Sequence, residues 1–173
     1  MNSSSGSKGP SQHWDRPVWT PLDDYLTQHY SHMRNAEAYF VVQDRLSFSP
    51  PIGGTIVLSG RVLCQYGLAL DVEKLLNFDR ETNCVSTFYY KYQALMGSPP
   101  VRVFRYDNVH TYTAEGHPDA FHKHPFDPRT GVESEGPAGW IGLDNWPTLH
   151  DVLDELHEWW LEIGQHLTDS GEP

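Results

Sequence analysis

The sequence predicts an α+β fold in which an antiparallel β-meander of about five strands is packed by an N-terminal and a C-terminal helix. Between residues 38 and 106, apolar and β-branched segments of strand length are separated by short turns. Connections this short permit only antiparallel neighbours. Residues 21–35 and the residues after Pro147 have helical spacing instead.

The first helix is predicted over residues 21–35. Thr20 suits its N-cap, Pro21 its first turn, and Asp23 places a carboxylate near its positive end. The side chains at helical spacing are Leu22, Tyr25, Leu26, His29, Tyr30 and Met33.

The strands are predicted from β-branched and aromatic runs bounded by Gly, Pro, Asn and Asp. Leu68, Leu70 and Val72 alternate with smaller or charged residues, so this strand is expected to have one solvated face. The predicted strands are 38–42, 55–66, 68–72, 84–92 and 101–106.

Residues 107–145 show no periodicity, and a stretch this long in a compact domain is usually functional or disordered. A strongly amphipathic helix is predicted after Pro147. Its apolar stripe comprises Leu149, Val152, Leu153, Leu156, Trp159, Trp160, Ile163 and Leu167.

The composition predicts a single domain over residues 17–168. Residues 1–16 are rich in Ser and Gly, which is typical of a disordered tail, and residues 169–173 are expected to form a second one. The first residues are polar, so we expect no signal peptide, and no apolar run approaches membrane-spanning length. We therefore expect no membrane association and a cytoplasmic location.

The charge distribution bears on the class of partner. A net charge of -11 argues against a surface coated in cations for nucleic-acid binding. Residues 85–130 differ from the rest, because they carry five Lys and Arg against four Asp and Glu.

Cys64 and Cys84 match no pairing motif and are expected to be reduced thiols.

The candidate site comes after the last predicted strand, since four of the ten histidines lie within fifteen residues. Loops fixed by a rigid edge often carry chemistry. Imidazole is the side chain that titrates nearest neutral pH, so such a cluster favours acid–base work or metal binding. These histidines are His110, His117, His122 and His124.

Alternation along extended chain predicts which of these side chains share a face. His122 and His124 would point the same way with Lys123 opposite, and Arg105 and Asp107 would share a face with Tyr106 opposite. An exposed polar loop and an Arg–Asp surface pair are the alternatives. A metal site would need a third ligand, for which His110, His117 and Asp119 are available.

Taken together, these residue types meet the needs of metal-independent RNA cleavage. One base takes the proton of the ribose 2′-OH, one acid protonates the leaving oxygen, and cations stabilise the charge that grows on phosphorus. The sequence contains no GxxxxGK[ST], GxSxG, CxxC or HExxH motif, which removes several familiar enzyme classes.

Two motifs resemble the TumE-type family of small bacterial proteins, in which a stretch reads FRYDNAPHH…FPHHKH. Here Phe104–Asn108 reads FRYDN and Phe121–His124 reads FHKH. The strand Phe88–Gln93 is similar to the family's YRYHYQ, and Trp146–Leu149 resembles the start of its closing helix. The resemblance covers roughly residues 54–160. The chain departs from the family in that Phe121 replaces one histidine of HHKH, and the segment 125–145 is longer.

The resemblance implies a toxin of a toxin–antitoxin pair, with a helix-turn-helix antitoxin as its partner. We expect an endoribonuclease acting on RNA with no cofactor and no metal. His122 and His124 would be base and acid in either order, Arg105 and Lys123 would hold phosphate, and Asp107 would orient a histidine. Tyr106 would stack or hydrogen-bond, and the binding residues would be Asn108, His110 and His117. A non-catalytic partner- or nucleotide-binding module and a divalent-metal hydrolase using His117, His122 and His124 are the alternatives.

Overall fold

The computed structural model describes residues 15–108, 121–134, 139–140 and 142–168. The strands are β1 (Thr20–Pro21), β2 (Val41–Phe48), β3 (Thr55–Cys64), β4 (Leu68–Asp79), β5 (Cys84–Met96), β6 (Val101–Asp107), β7 (His122–Pro125) and β8 (Gly139–Trp140). The helices are α1 (Leu22–Glu37), α2 (Leu149–Trp159) and α3 (Gln165–Thr168), with a π-helical turn at Trp160–Gly164 between the last two.

The strands form one antiparallel sheet in the order β2-β3-β4-β5-β6-β7-β8, and β1 pairs with the first residues of β5. From β2 to β8, neighbours in sequence are neighbours in the sheet, as the short turns between β2 and β6 predict for that part. The α+β class is confirmed. The five predicted strands correspond to β2–β6, while β1, β7 and β8 extend the sheet beyond them.

Both long helices pack on the same face of the sheet. Met33 of α1 and Leu153 and Leu156 of α2 belong to one buried cluster with Leu70 and Tyr92 of the sheet. Alternate residues of β4 are buried, which confirms the predicted solvated face of that strand. The other face of the sheet carries polar side chains, among them a bidentate pair between Arg61 and Asp71.

The N-terminal half differs from the prediction at two helix boundaries. Pro21, and not Thr20, is the N-cap of α1, because Thr20 pairs with Val85 in the sheet. The predicted strand 38–42 starts late. The N–H of Phe40 donates to the carbonyl of Ala36 at 2.8 Å in the turn that ends α1, and β2 begins only at residue 41.

The C-terminal helix changes its register at the π-helical turn. Ile163, expected on the apolar stripe, is 45% exposed. A π-helical turn adds a residue to the helix and rotates the residues C-terminal to it about the helix axis. Gly164 is buried in place of Ile163 and lies against the rings of Trp159 and Trp160. The stripe up to Leu156 is confirmed.

The predicted tails fall largely outside the described residues, except that the segment 1–16 overlaps them at Asp15 and Arg16. Asp15 is fully buried, so ordered chain begins before residue 17. Cys64 and Cys84 are free thiols. None of the helices in the described ranges has the length and apolar character that a membrane crossing requires.

Candidate functional site

The pairing of β6 with β7 brings the two family-like motifs together. Asp107 lies opposite His122, Arg105 opposite His124, and Tyr106 opposite Lys123. Residues directly opposite in an antiparallel pair share a face. The stretch 107–145, expected to lack periodic structure, thus contains the strands β7 and β8. The side chains of FRYDN and FHKH divide between the two faces of the sheet.

Asp107, His122 and His124 form a buried cluster on the face away from the helices. All three are at most 3% exposed. The Nε2 atom of His122 lies 3.4 Å from Oδ1 of Asp107, and that of His124 lies 3.8 Å from Oδ2. The two imidazole rings are 4.5 Å apart at 70°. Both Nε2 atoms thus lie near one carboxylate, that of the residue which the sequence analysis expects to orient a histidine.

Two partly exposed side chains contact this cluster from its solvent-facing edge. The Nε–H of Arg105 donates to Oδ2 of Asp107 at 2.6 Å, and Nδ1 of His124 contacts the carboxylate of Glu133. The Arg105 and Glu133 side chains are 22% and 49% exposed, so the cluster meets solvent through them. Sequence reasoning missed Glu133, because it lies eleven residues beyond His122 in a segment without periodicity.

Tyr106 and Lys123 lie on the opposite face and are not part of this cluster. The Tyr106 hydroxyl donates to Oε2 of Glu155 on α2 at 2.6 Å, and the Lys123 ammonium pairs with the same carboxylate. Burial, and then the hydrogen bond to Glu155, raise the pKa of Tyr106. The Lys123 ammonium also lies 5.0 Å from the ring centroid of Phe104. These two candidates thus attach α2 to the sheet and do not meet the histidines.

The three residues expected to bind take different positions. Asn108 joins the end of β6 to β5: its Oδ1 accepts from the N–H of Tyr90 at 2.8 Å, and its Nδ2 donates to the carbonyl of Phe88 at 2.9 Å. Its amide is thereby engaged with the backbone. His110 and His117 lie outside the described residues, as does Asp119.

A groove of about 480 Å³ crosses the same face beside the cluster. Two of its lining residues neighbour the cluster in the sheet, since Lys91 lies opposite Asp107 and Gln93 opposite Arg105. Its lining carries both signs of charge, and its polar side chains are Ser59, Asp71, Glu73, Lys91, Gln93 and Arg102.

The cluster also offers a set of metal ligands. Asp107, His122 and His124 each supply one ligand atom, and these atoms all lie within 4.8 Å of one another. The sequence offered His110, His117 and Asp119 as the third ligand. In the described part of the chain, Asp107 takes that position beside the two histidines.

Comparison with models of protein families finds no match to the chain. Searches of curated proteins and of solved structures likewise find none. The resemblance to the TumE-type family therefore remains a prediction from the two motifs and from the strand and helix that flank them.

Proposed function

We propose that this protein cleaves RNA phosphodiesters at the Asp107 cluster, as the toxin-like member of a cytoplasmic pair with a helix-turn-helix antitoxin. The observation that carries the proposal is the pairing of β6 with β7. It joins Arg105 and Asp107 of one motif to His122 and His124 of the other on a single face. The groove on the same face, lined by Lys91 and Gln93 of β5 next to Asp107 and Arg105, is where a substrate would lie.

Cleavage by acid–base catalysis alone is one route from this cluster. One histidine would take the proton of the ribose 2′-OH, whose oxygen attacks phosphorus, and the other would protonate the 5′-oxygen as its bond to phosphorus breaks. Arg105 would contact the phosphate with its remaining N–H groups. This route needs no metal.

The geometry sets two difficulties for that route. Attacking and leaving oxygens stand roughly in line across phosphorus, yet His122 and His124 direct their Nε2 atoms to the same carboxylate. The described side chains of the site also include two carboxylates, Asp107 and Glu133, against one guanidinium. With neutral histidines this balance repels phosphate. A bound dication would reverse it, which favours the metal-dependent hydrolase as the second candidate.

The proposal is tested by expressing the chain alone in bacteria and by incubating the purified protein with single-stranded RNA. Growth is expected to stop, and RNA is expected to be cut. His124→Ala should relieve the arrest at unchanged levels of soluble protein. It should also slow cleavage by about 10²–10⁴-fold, the range for removal of a general acid or base. RNA that stays intact with every metal and at every pH tried would leave the non-catalytic binding module.

Lys123→Ala provides the matched control, because Lys123 lies next to both histidines in sequence but on the other face. We expect growth arrest and RNA cleavage to persist in this variant. Its free energy of unfolding, measured by urea denaturation, should fall by less than about 1 kcal/mol, since its pair with Glu155 is about one-third exposed. Loss of cleavage in a folded Lys123→Ala protein would place the reaction on the helix-covered face instead.

A further inference from the structure

We propose that Asp107, His122 and His124 bind one divalent transition-metal ion, with Glu133 and Arg105 as the partners that orient the ligands. The proposal deepens the proposed function, on which the catalytic meaning of the ion rests. Metal binding and RNA cleavage are measured separately, so that either proposal can fail without the other.

The three side chains converge to near the spacing of ligands around one ion. Ligand atoms at about 2.0–2.2 Å from a metal lie about 3–3.6 Å from each other at tetrahedral or octahedral angles. The two contacts between histidine Nε2 atoms and Asp107 measure 3.4 and 3.8 Å. These contacts go to different oxygens of Asp107, and the three ligand atoms all lie within 4.8 Å of one another. The set would therefore contract by up to about 1–2 Å around one ion. All three ligands stand on paired strands, which hold them more rigidly than loops.

The partners of the ligands are those that a metal site uses. A metal-bound histidine commonly gives its other ring nitrogen to a carboxylate, which fixes the ring and raises its basicity. Glu133 contacts Nδ1 of His124, which leaves Nε2 directed at Asp107. Arg105 holds Oδ2 of Asp107 and so orients the carboxylate. An Arg–Asp ion pair on the surface would require neither the burial of Asp107 nor two histidines directed at its carboxylate.

The ligand types select the class of metal. Two imidazoles and one carboxylate suit first-row ions such as Zn²⁺, Fe²⁺ or Mn²⁺, whereas Mg²⁺ and Ca²⁺ prefer oxygen ligands. A dication added to Asp107, Glu133 and Arg105 makes the described site net positive, as an anionic substrate requires. The exposed parts of the Arg105 and Glu133 side chains mark the path by which the ion would enter.

The experiment uses the full chain without an affinity tag, stripped with a chelator and titrated with Zn²⁺ by calorimetry. Co²⁺ is added in a parallel sample to read the visible absorption of the bound ion. We expect one equivalent per chain, and loss of that equivalent in His122→Ala and in Asp107→Ala. His166→Ala, at an exposed position of α3, should keep it.

Glu133→Gln keeps the test decisive if the buried variants fail to fold, because half of that side chain is exposed. It should weaken Zn²⁺ binding by about 10–100-fold, the usual effect of removing the partner of a metal-bound histidine. Glu158→Gln, which is exposed on α2, should leave the affinity unchanged. Equal affinity in Glu133→Gln and the unmodified chain would overturn the arrangement.

The remaining outcomes separate the metal site from the proposed function. Folded protein that binds no Zn²⁺ or Co²⁺, or that binds equally in His122→Ala, overturns the metal site. RNA cleavage that survives the chelator in that case would support the acid–base route. One bound equivalent without RNA cleavage under any condition would support the metal site and contradict the proposed function.

Discussion

Asp15→Ala is expected to lower the free energy of unfolding by about 3–5 kcal/mol, the cost of breaking a buried ion pair from one side. Asp15 and Lys74 are both at most 1% exposed, and their charged groups pair directly. The Tyr25 hydroxyl donates to Oδ1 of Asp15 at 2.9 Å, and the N–H of Leu149 donates to Oδ2 at 3.0 Å. Burial lowers the pKa of Lys74. Removing the carboxylate takes away the acidic partner of its amino group and the acceptor of these two donors.

The loss is measured by urea denaturation followed by circular dichroism. Asp144→Ala is the matched control, because that side chain is exposed and its loss should change stability by no more than about 0.5 kcal/mol. The double variant Asp15→Leu with Lys74→Met should recover much of the loss, since an apolar pair often replaces a buried ion pair at little cost. A cost below about 1 kcal/mol for Asp15→Ala would contradict a buried pair.

The role of Asp15 could not be predicted from the sequence, because the residues around it show no pattern that indicates burial. It stands in a Ser/Gly-rich segment that is typical of a disordered tail. Its partners come from α1, β4 and the start of α2. Such burial is a property of the assembled fold. By contrast, the helices and the meander arise from periodicity, which is local, and that part of the fold was predicted.

The candidate site was predicted only in part, because alternation along a strand is local whereas the pairing of two strands is not. Alternation predicted that His122 shares a face with His124 and that Arg105 shares a face with Asp107, and these residues stand at alternate positions of β7 and β6. The two pairs are joined by the register of β6 with β7, which four residues without an apolar pattern could not indicate. The sequence therefore suggested a loop, and it could not show that Tyr106 and Lys123 face α2.

The sequence also could not predict the two carboxylates that contact β7, one on each face of the sheet. Glu133 reaches His124 from an irregular segment, and Glu155 reaches Lys123 from 32 residues away. On α2, Glu155 belongs to a face rich in acidic residues, which is usually solvated. Only the packing of α2 on the sheet distinguishes Glu155 from its exposed neighbour Glu158.

Trp146→Ala is expected to lower the free energy of unfolding by about 3–5 kcal/mol, as for other fully buried large aromatic residues. Trp146 is 1% exposed. Its ring lies 4.6 Å from that of Tyr90 on β5 and 5.4 Å from that of Phe121, which immediately precedes His122. Truncation removes these contacts and leaves a cavity beneath the strand that carries the histidines.

Urea denaturation of three variants separates burial from residue type. Trp19→Ala removes the same side chain at a position that is 55% exposed, and should cost no more than about 0.5 kcal/mol. Trp146→Phe keeps most of the ring contacts and should cost clearly less than Trp146→Ala. Equal losses at Trp19 and Trp146 would contradict the packing described for Trp146.

Because Phe121 leads directly into β7, Trp146→Ala should also weaken Zn²⁺ binding, while Trp146→Phe should preserve it. That difference would show that the helix-covered core supports the position of the histidines on the opposite face.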